Sequence, residues 1–232
     1  MAYTYEDFLK IIETLRSENG CPWDKVQTHE SLKPCMVEEA AEVLAAIRIY
    51  DKTGDYENLR EELGDVLLQV VMHAQIAKEE GIFTMEEVVN EVAEKMIRRH
   101  PHVFKDVEAK DPEKALATWE EAKKKEKEGK KQVATPLKEI PPELPSLSRA
   151  TKVLKKIDKL YEPQKGYDDT ILALKAAVEK LEQVSLEDEE KQLEDSIGDI
   201  LLQVSNLARI KKISADQILM NLVDDMIDKY EN

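Results

Sequence analysis

Six carboxylates crowd into two short stretches near the start of the chain. VEEAAEV (37–43) carries Glu38, Glu39 and Glu42, and LREELGDVLLQV (59–70) carries Glu61, Glu62 and Asp65. Glu39 and Glu42 stand three residues apart, as do Glu62 and Asp65, and on a helix that spacing puts each pair on one face. If the two helices form an antiparallel hairpin, the pairs converge. Four carboxylates at one spot repel one another unless something positive lies between them. An oxygen-only donor set suits Mg²⁺, with Mn²⁺ as a substitute, because these ions accept carboxylates together with waters and substrate phosphates. The plainer reading is a solvated acidic helix surface. Asp65 weighs against it, because it directly precedes the apolar run VLLQVV (66–71), where burial is expected and a buried aspartate needs a partner.

The elements that must carry these residues are helical. The 232 residues are 42% hydrophobic and 36% charged, with only 7 glycines. That composition, with long periodic runs, favours an all-α protein of one large or two ordinary domains. A net charge of −15 argues against a general nucleic-acid partner. A polyanionic small ligand stays compatible where metal ions bridge the repulsion. No apolar run is long enough to span a bilayer and no signal peptide is recognisable, so a cytoplasmic protein without a membrane partner is expected. Cys21 and Cys35 fit no CxxC pattern and are expected to be free thiols.

Capping and breaking signals place the helices. Thr4 and Asp7 cap a first helix that ends at Asn19-Gly20, and CPWDKVQTH (21–29) reads as a loop. A second helix starts near Pro34 and runs to about residue 50, and a third covers about 56–80. Thr84 and Glu87 form a capping box for a fourth, to about residue 99, where HPHVF breaks it. Asp111-Pro112 opens a fifth that ends at Gly129, followed by a segment with Pro136, Pro141, Pro142 and Pro145 that reads as a linker or a wrapped extended stretch. Helices at about 147–161 and 169–184, a third opened by Ser185 and Asp188, and a fourth capped by Ser214 and Gln217 repeat the scheme. LEDSIGDILLQV (193–204) is a near copy of 59–70, and ADQILMNLVDDMIDKY (215–230) aligns without gaps to MEEVVNEVAEKMIRRH (85–100). The expected architecture is two tandem four-helix modules: residues 1–128, a proline-rich linker at 129–146, and a second copy at 147–232 lacking the fifth helix.

The copies differ where chemistry resides. Glu42 aligns with Glu179 and Asp65 with Asp199, but Glu38 falls on Lys175, Glu39 on Ala176 and Glu62 on Ser196. Lys95, Arg98 and Arg99 fall on Asp225, Asp228 and Lys229. The second copy is therefore degenerate, kept for packing. Cations near a helix C-terminus are favoured electrostatically in any protein. Loss of two of these three in the copy that also loses carboxylates favours phosphate binding by Lys95, Arg98 and Arg99, the arginines offering bidentate contacts.

The EExxE and ExxD pairs, GCPWDKVQTHESL (20–32), RRHPHVF (98–104) and the duplicated scheme together resemble the MazG family of all-α nucleoside triphosphate pyrophosphohydrolases, over essentially the whole chain. The resemblance implies Mg²⁺-dependent hydrolysis between the α and β phosphates with broad base tolerance, and a homodimer of intertwined helices. It makes Glu39, Glu42, Glu62 and Asp65 the metal ligands, and Glu38 and Glu61 the residues that position or activate water. It makes Trp119 a contact to base or ribose and Lys123 a contact to phosphate, although a tryptophan on an amphipathic helix is commonly core. A nucleotide-binding sensor without turnover is the alternative from another class.

Trp23, Asp24, Gln27 and His29 can read a base edge, and loop structure explains them equally well. His100 and His102 flank Pro101, with no cysteine or acid at zinc-ligand spacing. His73, among apolar residues, reads as a satisfied core histidine.

Overall fold

The computed structural model describes residues 2–105, 107–128, 135–184 and 190–231, without the side chains of 127 and 128. Every regular element among the described residues is helical. Two compact units divide the chain, Met1–Lys130 and Lys131–Asn232.

The first unit runs α1 (Tyr5–Arg16), α2 (Pro22–Lys25), α3 (Lys33–Thr53), α4 (Glu57–Glu79), α5 (Met85–Arg99), α6 (Pro101–Phe104) and α7 (Pro112–Glu128). Thr4 and Thr84 each form the reciprocal capping box expected of them, with Asp7 and Glu87. Gly54 closes α3 in the left-handed region at φ 76°, a conformation glycine adopts without a Cβ penalty. Two short helices depart from the sequence reading: α2 forms inside the expected loop, and α6 forms within the breaker HPHVF. Both begin at a proline, whose fixed φ suits the first helical position. The first helix also stops earlier than Asn19-Gly20, capping at Ser17.

The pairing of α3 with α4 is the most extensive in this unit, α1 lies on α4, and α5 meets both α4 and α7. The core gathers Ile12, Leu32, Val71, Met72 and Ile76, with Phe8, Leu9, Leu15, Cys35, Leu68 and Met85 against it. Burying each large aliphatic of this set contributes about 1.5–3 kcal/mol. All the α4 members come from its C-terminal half. The N-terminal half, which carries Glu62 and Asp65, stands clear of the core with Leu63 and Leu67 exposed.

The second unit contains a 3₁₀ turn at Pro136–Glu139, then α8 (Ser146–Leu160), α9 (Tyr167–Glu182), α10 (Glu190–Lys211) and α11 (Ala215–Glu231). The α10 helix packs chiefly on α9 and α8. From residue 135 the proline-rich segment belongs to this unit: Ile140 is buried, and Lys156 Nζ donates to the Pro136 carbonyl and, at 2.9 Å, to Glu139. Residues 129–134 of that segment, Gly129 at the expected end of α7, and Ser185 and Asp188 lie outside the described residues. Ser214 Oγ accepts from the Gln217 N–H at 3.3 Å, as its position before α11 anticipates. A polar cluster joins α9 to α10: Asn206 Nδ2 donates to Thr170 Oγ1 at 2.9 Å, both residues buried, and Arg209 Nε donates to Asn206 Oδ1 at 2.8 Å. Buried polar groups are tolerated when they find such partners.

Candidate functional site

Pairing of α3 with α4 brings the two carboxylate pairs to one place. Donor oxygens of Glu39, Glu42 and Glu62 all lie within 4.8 Å of one another, two of the residues half-buried and Glu42 exposed. Ligand oxygens around an octahedral Mg²⁺ stand roughly 3.0–4.2 Å apart, given bonds of about 2.1 Å, so small side-chain rotations suffice to close on an ion. Partial burial, the charges of Asp65 and Glu42 and a hydrogen bond with Glu42 push the Glu39 pKa above the ordinary carboxylate value. Partial burial, then Glu42 and Asp65, do the same to Glu62. Burial and neighbouring carboxylates thus act together on Glu39 and Glu62 against the charged form, a strain that a bound divalent cation relieves.

Asp65 contributes to that field without joining the tight group of three. It is half-buried rather than buried. The expectation drawn from VLLQVV is corrected on this point: the run is enclosed only from Gln69 onward, because the core engages α4 through Val71, Met72 and Ile76. Glu38 and Glu61 are exposed beside the cluster.

The cations form a second grouping, between α5 and α7. Arg98 Nε donates to Glu126 Oε1 at 2.9 Å, and Arg99 Nη2 donates to Glu126 Oε2 at 2.8 Å. The Arg99 and Arg98 hydrogen bonds hold the Glu126 pKa down at about 2. Arg99 lies 5.4 Å and Lys123 Nζ 4.8 Å from the centre of the Trp119 ring, so the half-buried indole is a seat for cations rather than part of the core. Among the described residues Arg98 and Arg99 pair with Glu126 and with none of the four carboxylates. Lys95, one turn earlier on α5, is half-buried.

Glu126 is a member of this cation grouping that the sequence does not single out. It sits inside the run KKKEK (123–127), which reads as a solvated face, and its partners are 27 and 28 residues away. The signal available was its position seven residues after Trp119, which puts both on one helix face.

The loop before α3 is occupied with its own architecture. Gln27 Nε2 donates to the Trp23 carbonyl at 2.9 Å, and Gln27 Oε1 accepts from Ser31 Oγ at 2.7 Å. Arg16, its side chain 5% exposed, donates to the Asp24 and Gln27 carbonyls and forms an ion pair with Glu79 at 2.8 Å. His29 Nδ1 and His73 Nδ1 lie 2.7 Å apart, with ring centres 5.0 Å apart and planes 4° apart. Those values together describe rings edge to edge in one plane, sharing one N–H···N bond: one ring carries the Nδ1 proton and the other accepts it. Burial and the facing His29 hold the His73 pKa below the ordinary histidine value. His73 is thus satisfied by a loop histidine. His100 Nδ1 meets the Met96 carbonyl at 2.7 Å and so closes α5.

In the second unit the positions aligned with the cluster are organised differently. Lys180 Nζ lies 3.6 Å from Asp199 Oδ2, so a lysine stands beside the aspartate that aligns with Asp65. Ser196 is fully buried, and its Oγ has no hydrogen-bond partner among the described residues. The aligned Glu62 is half-buried, so the two helices present that register position to different surroundings.

A family profile described as the MazG nucleotide pyrophosphohydrolase domain matches residues 27–104, the span that holds α3, α4 and α5. The nucleoside triphosphate pyrophosphohydrolase/pyrophosphatase MazG of Thermotoga maritima is 39% identical over 229 residues, covering 98% of this chain and 84% of that protein. The nucleoside triphosphate pyrophosphohydrolase of Escherichia coli is 40% identical over 209 residues, covering 87% of this chain and 76% of that protein. YabN of Bacillus subtilis is 43% identical over 218 residues, and there the chain spans 43% of the relative's length.

Proposed function

Because the chain belongs to the MazG nucleotide pyrophosphohydrolase family, we propose that it hydrolyses nucleoside triphosphates to the monophosphate and pyrophosphate, with broad base tolerance, at a Mg²⁺-dependent site on α3 and α4. The observation that carries this reading is the convergence of Glu39, Glu42 and Glu62. Glu39, Glu42, Glu62 and Asp65 would hold the ion, and Mn²⁺, with the same preference for oxygen donors, would substitute. Bound there, a divalent ion neutralises triphosphate charge and acts as a Lewis acid.

The remaining roles fall to side chains. A water oxygen attacks one phosphorus of the α–β bridge and the bond from that phosphorus to the bridging oxygen breaks: attack at the α phosphorus releases pyrophosphate with the bridging oxygen, and attack at the β phosphorus releases the monophosphate with it. The water's proton passes to a carboxylate at the cluster edge, Glu38 or Glu61. Lys95, Arg98 and Arg99 take the phosphates, with Lys123 in support, and Trp119 offers its ring to the base or ribose. Exposed Val37, Leu44, Ile47 and Tyr50 on α3, with Leu63 and Leu67 on α4, support a homodimer that covers them. No helix among the described residues is long and apolar enough to cross a membrane. We place the enzyme in the cytoplasm, without a nucleic-acid partner.

Phosphorus NMR of the reaction tests the assignment. Pyrophosphate should appear first, in the presence of Mg²⁺ and not of EDTA. Orthophosphate as first product, or full turnover in EDTA, refutes the site. Binding without product identifies a sensor instead.

A further inference from the structure

The Arg98–Arg99 fork is occupied in the free protein by a side chain of the same chain. Both oxygens of Glu126 are engaged: Oε1 accepts from Arg98 Nε at 2.9 Å, and Oε2 accepts from Arg99 Nη2 at 2.8 Å and Nε at 3.2 Å. Two guanidiniums converging on one anionic group is the arrangement that also receives a phosphate. The contact is shielded on the Arg99 side, with Glu126 19% and Arg99 18% exposed, and open on the Arg98 side, where that arginine is 52% exposed. Trp119, Lys123 and Glu126 follow at i, i+4 and i+7, so one face of α7 presents an aromatic ring, a cation and a carboxylate to the end of α5. Arg99 and Lys123 lie against the ring that the proposed function offers to the nucleoside. The second unit lacks the arginine pair, since Asp228 and Lys229 stand at the aligned positions.

We propose that Glu126 is a specificity-determining residue: an internal carboxylate that holds Arg98 and Arg99 until a polyphosphate displaces it. The inference rests on the reading of these arginines as phosphate ligands. A single carboxylate charge gives way to a di- or triphosphate, which brings several charges and more acceptor oxygens. It resists orthophosphate and a monophosphate, which bring fewer. As pyrophosphate departs, Glu126 closes on the arginines again, so product release and recapture of the fork are one exchange. The alternative role, a purely structural tie between α5 and α7, has effects of the opposite sign: its loss would loosen the cation cluster and weaken every phosphate ligand.

Glu126→Gln separates the two roles, because it keeps the shape and removes the charge. Calorimetric titration of the full chain with inorganic pyrophosphate in Mg²⁺ should show Kd falling by about tenfold against wild type. The KM for triphosphates should fall with it, and orthophosphate should become a measurable inhibitor. Glu126→Asp, whose shorter arm cannot span both guanidiniums, should move Kd in the same direction by less, and serves alone if the glutamine variant does not fold. Unchanged or weaker pyrophosphate binding in both variants overturns the proposal and leaves the function standing, provided Arg98→Ala and Arg99→Ala still impair turnover. If those arginine variants bind pyrophosphate and turn over as wild type, the phosphate role of the fork falls, and Glu126 as a competitor falls with it.

Discussion

Arg16→Ala removes the side chain that joins three parts of the first unit. Its Nε and Nη2 donate to Glu79 at 3.0 and 2.8 Å, and its Nη1 donates to the carbonyls of Asp24 at 2.6 Å and Gln27 at 3.2 Å. One residue thereby ties the last turn of α1 to the end of α4 and to the loop that precedes α3. Breaking a buried ion pair by removing one partner costs about 3–5 kcal/mol. Glu79 is 37% exposed and keeps a hydrogen bond from Gln75 at 2.9 Å, so water and Gln75 recover part of that. A loss of about 2–3 kcal/mol is expected after this discount, a fall in Tm of roughly 4–12 °C for a chain of this size. Both tryptophans, Trp23 and Trp119, belong to the first unit, so urea unfolding followed by their fluorescence reports on that unit. Burial works to raise the Glu79 pKa, but the hydrogen bonds from Arg16 and Gln75 outweigh it and leave the value lowered. A lowered folded-state pKa gives stability that is full above the ordinary value of 4.5 and lost as pH falls through the folded one, so the gap between wild type and Arg16→Ala should narrow below that point. The double variant Arg16→Ala, Glu79→Gln should lose less than the sum of the single changes. A single variant within about 0.5 kcal/mol of wild type, or strict additivity in the cycle, refutes the reasoning.

Glu62→Gln should abolish Mg²⁺-dependent turnover while raising the thermal stability of the metal-free protein, checked by kinetics and by melting in EDTA. Glu39 and Glu62 hold their protons more tightly folded than unfolded, so metal-free stability should fall as pH rises through their raised pKa values, and Glu62→Gln should flatten that slope. Arg98→Ala and Arg99→Ala should each lower kcat/KM about ten- to a hundredfold, from lost charge-assisted hydrogen bonds of about 1.5–3 kcal/mol, and an unchanged kcat/KM returns them to ordinary helix-end cations. Asp199→Asn should leave kcat unchanged, since Lys180 already pairs with that residue, and Ser196→Glu should create no second site and should destabilise the chain, because it forces a carboxylate into a fully buried position. Loss of turnover in a folded Asp199→Asn protein places the chemistry in the wrong unit.

The sequence determined what is local. A capping box spans three residues, so Thr4 with Asp7 and Thr84 with Glu87 fix two helix starts wherever the helices later pack. Spacing within a helix is local in the same sense, and it puts Glu39 with Glu42 and Glu62 with Asp65 before any tertiary contact forms. Pro22 and Pro101 carry a local signal too, but the two short helices they open are four-residue turns that leave no periodicity to read. Everything that depends on distant partners was settled by packing. Arg16 meets Glu79 across 63 residues and His29 meets His73 across 44, and neither side chain advertises its partner in the sequence. The half-burial of Asp65 follows from which half of α4 the core engages, and the capture of Arg98 and Arg99 by Glu126 follows from where α7 lies on α5. A periodic pattern says which face of a helix is apolar. Only the assembled helices decide how far along each one that face is covered, and which charges are left within reach of one another.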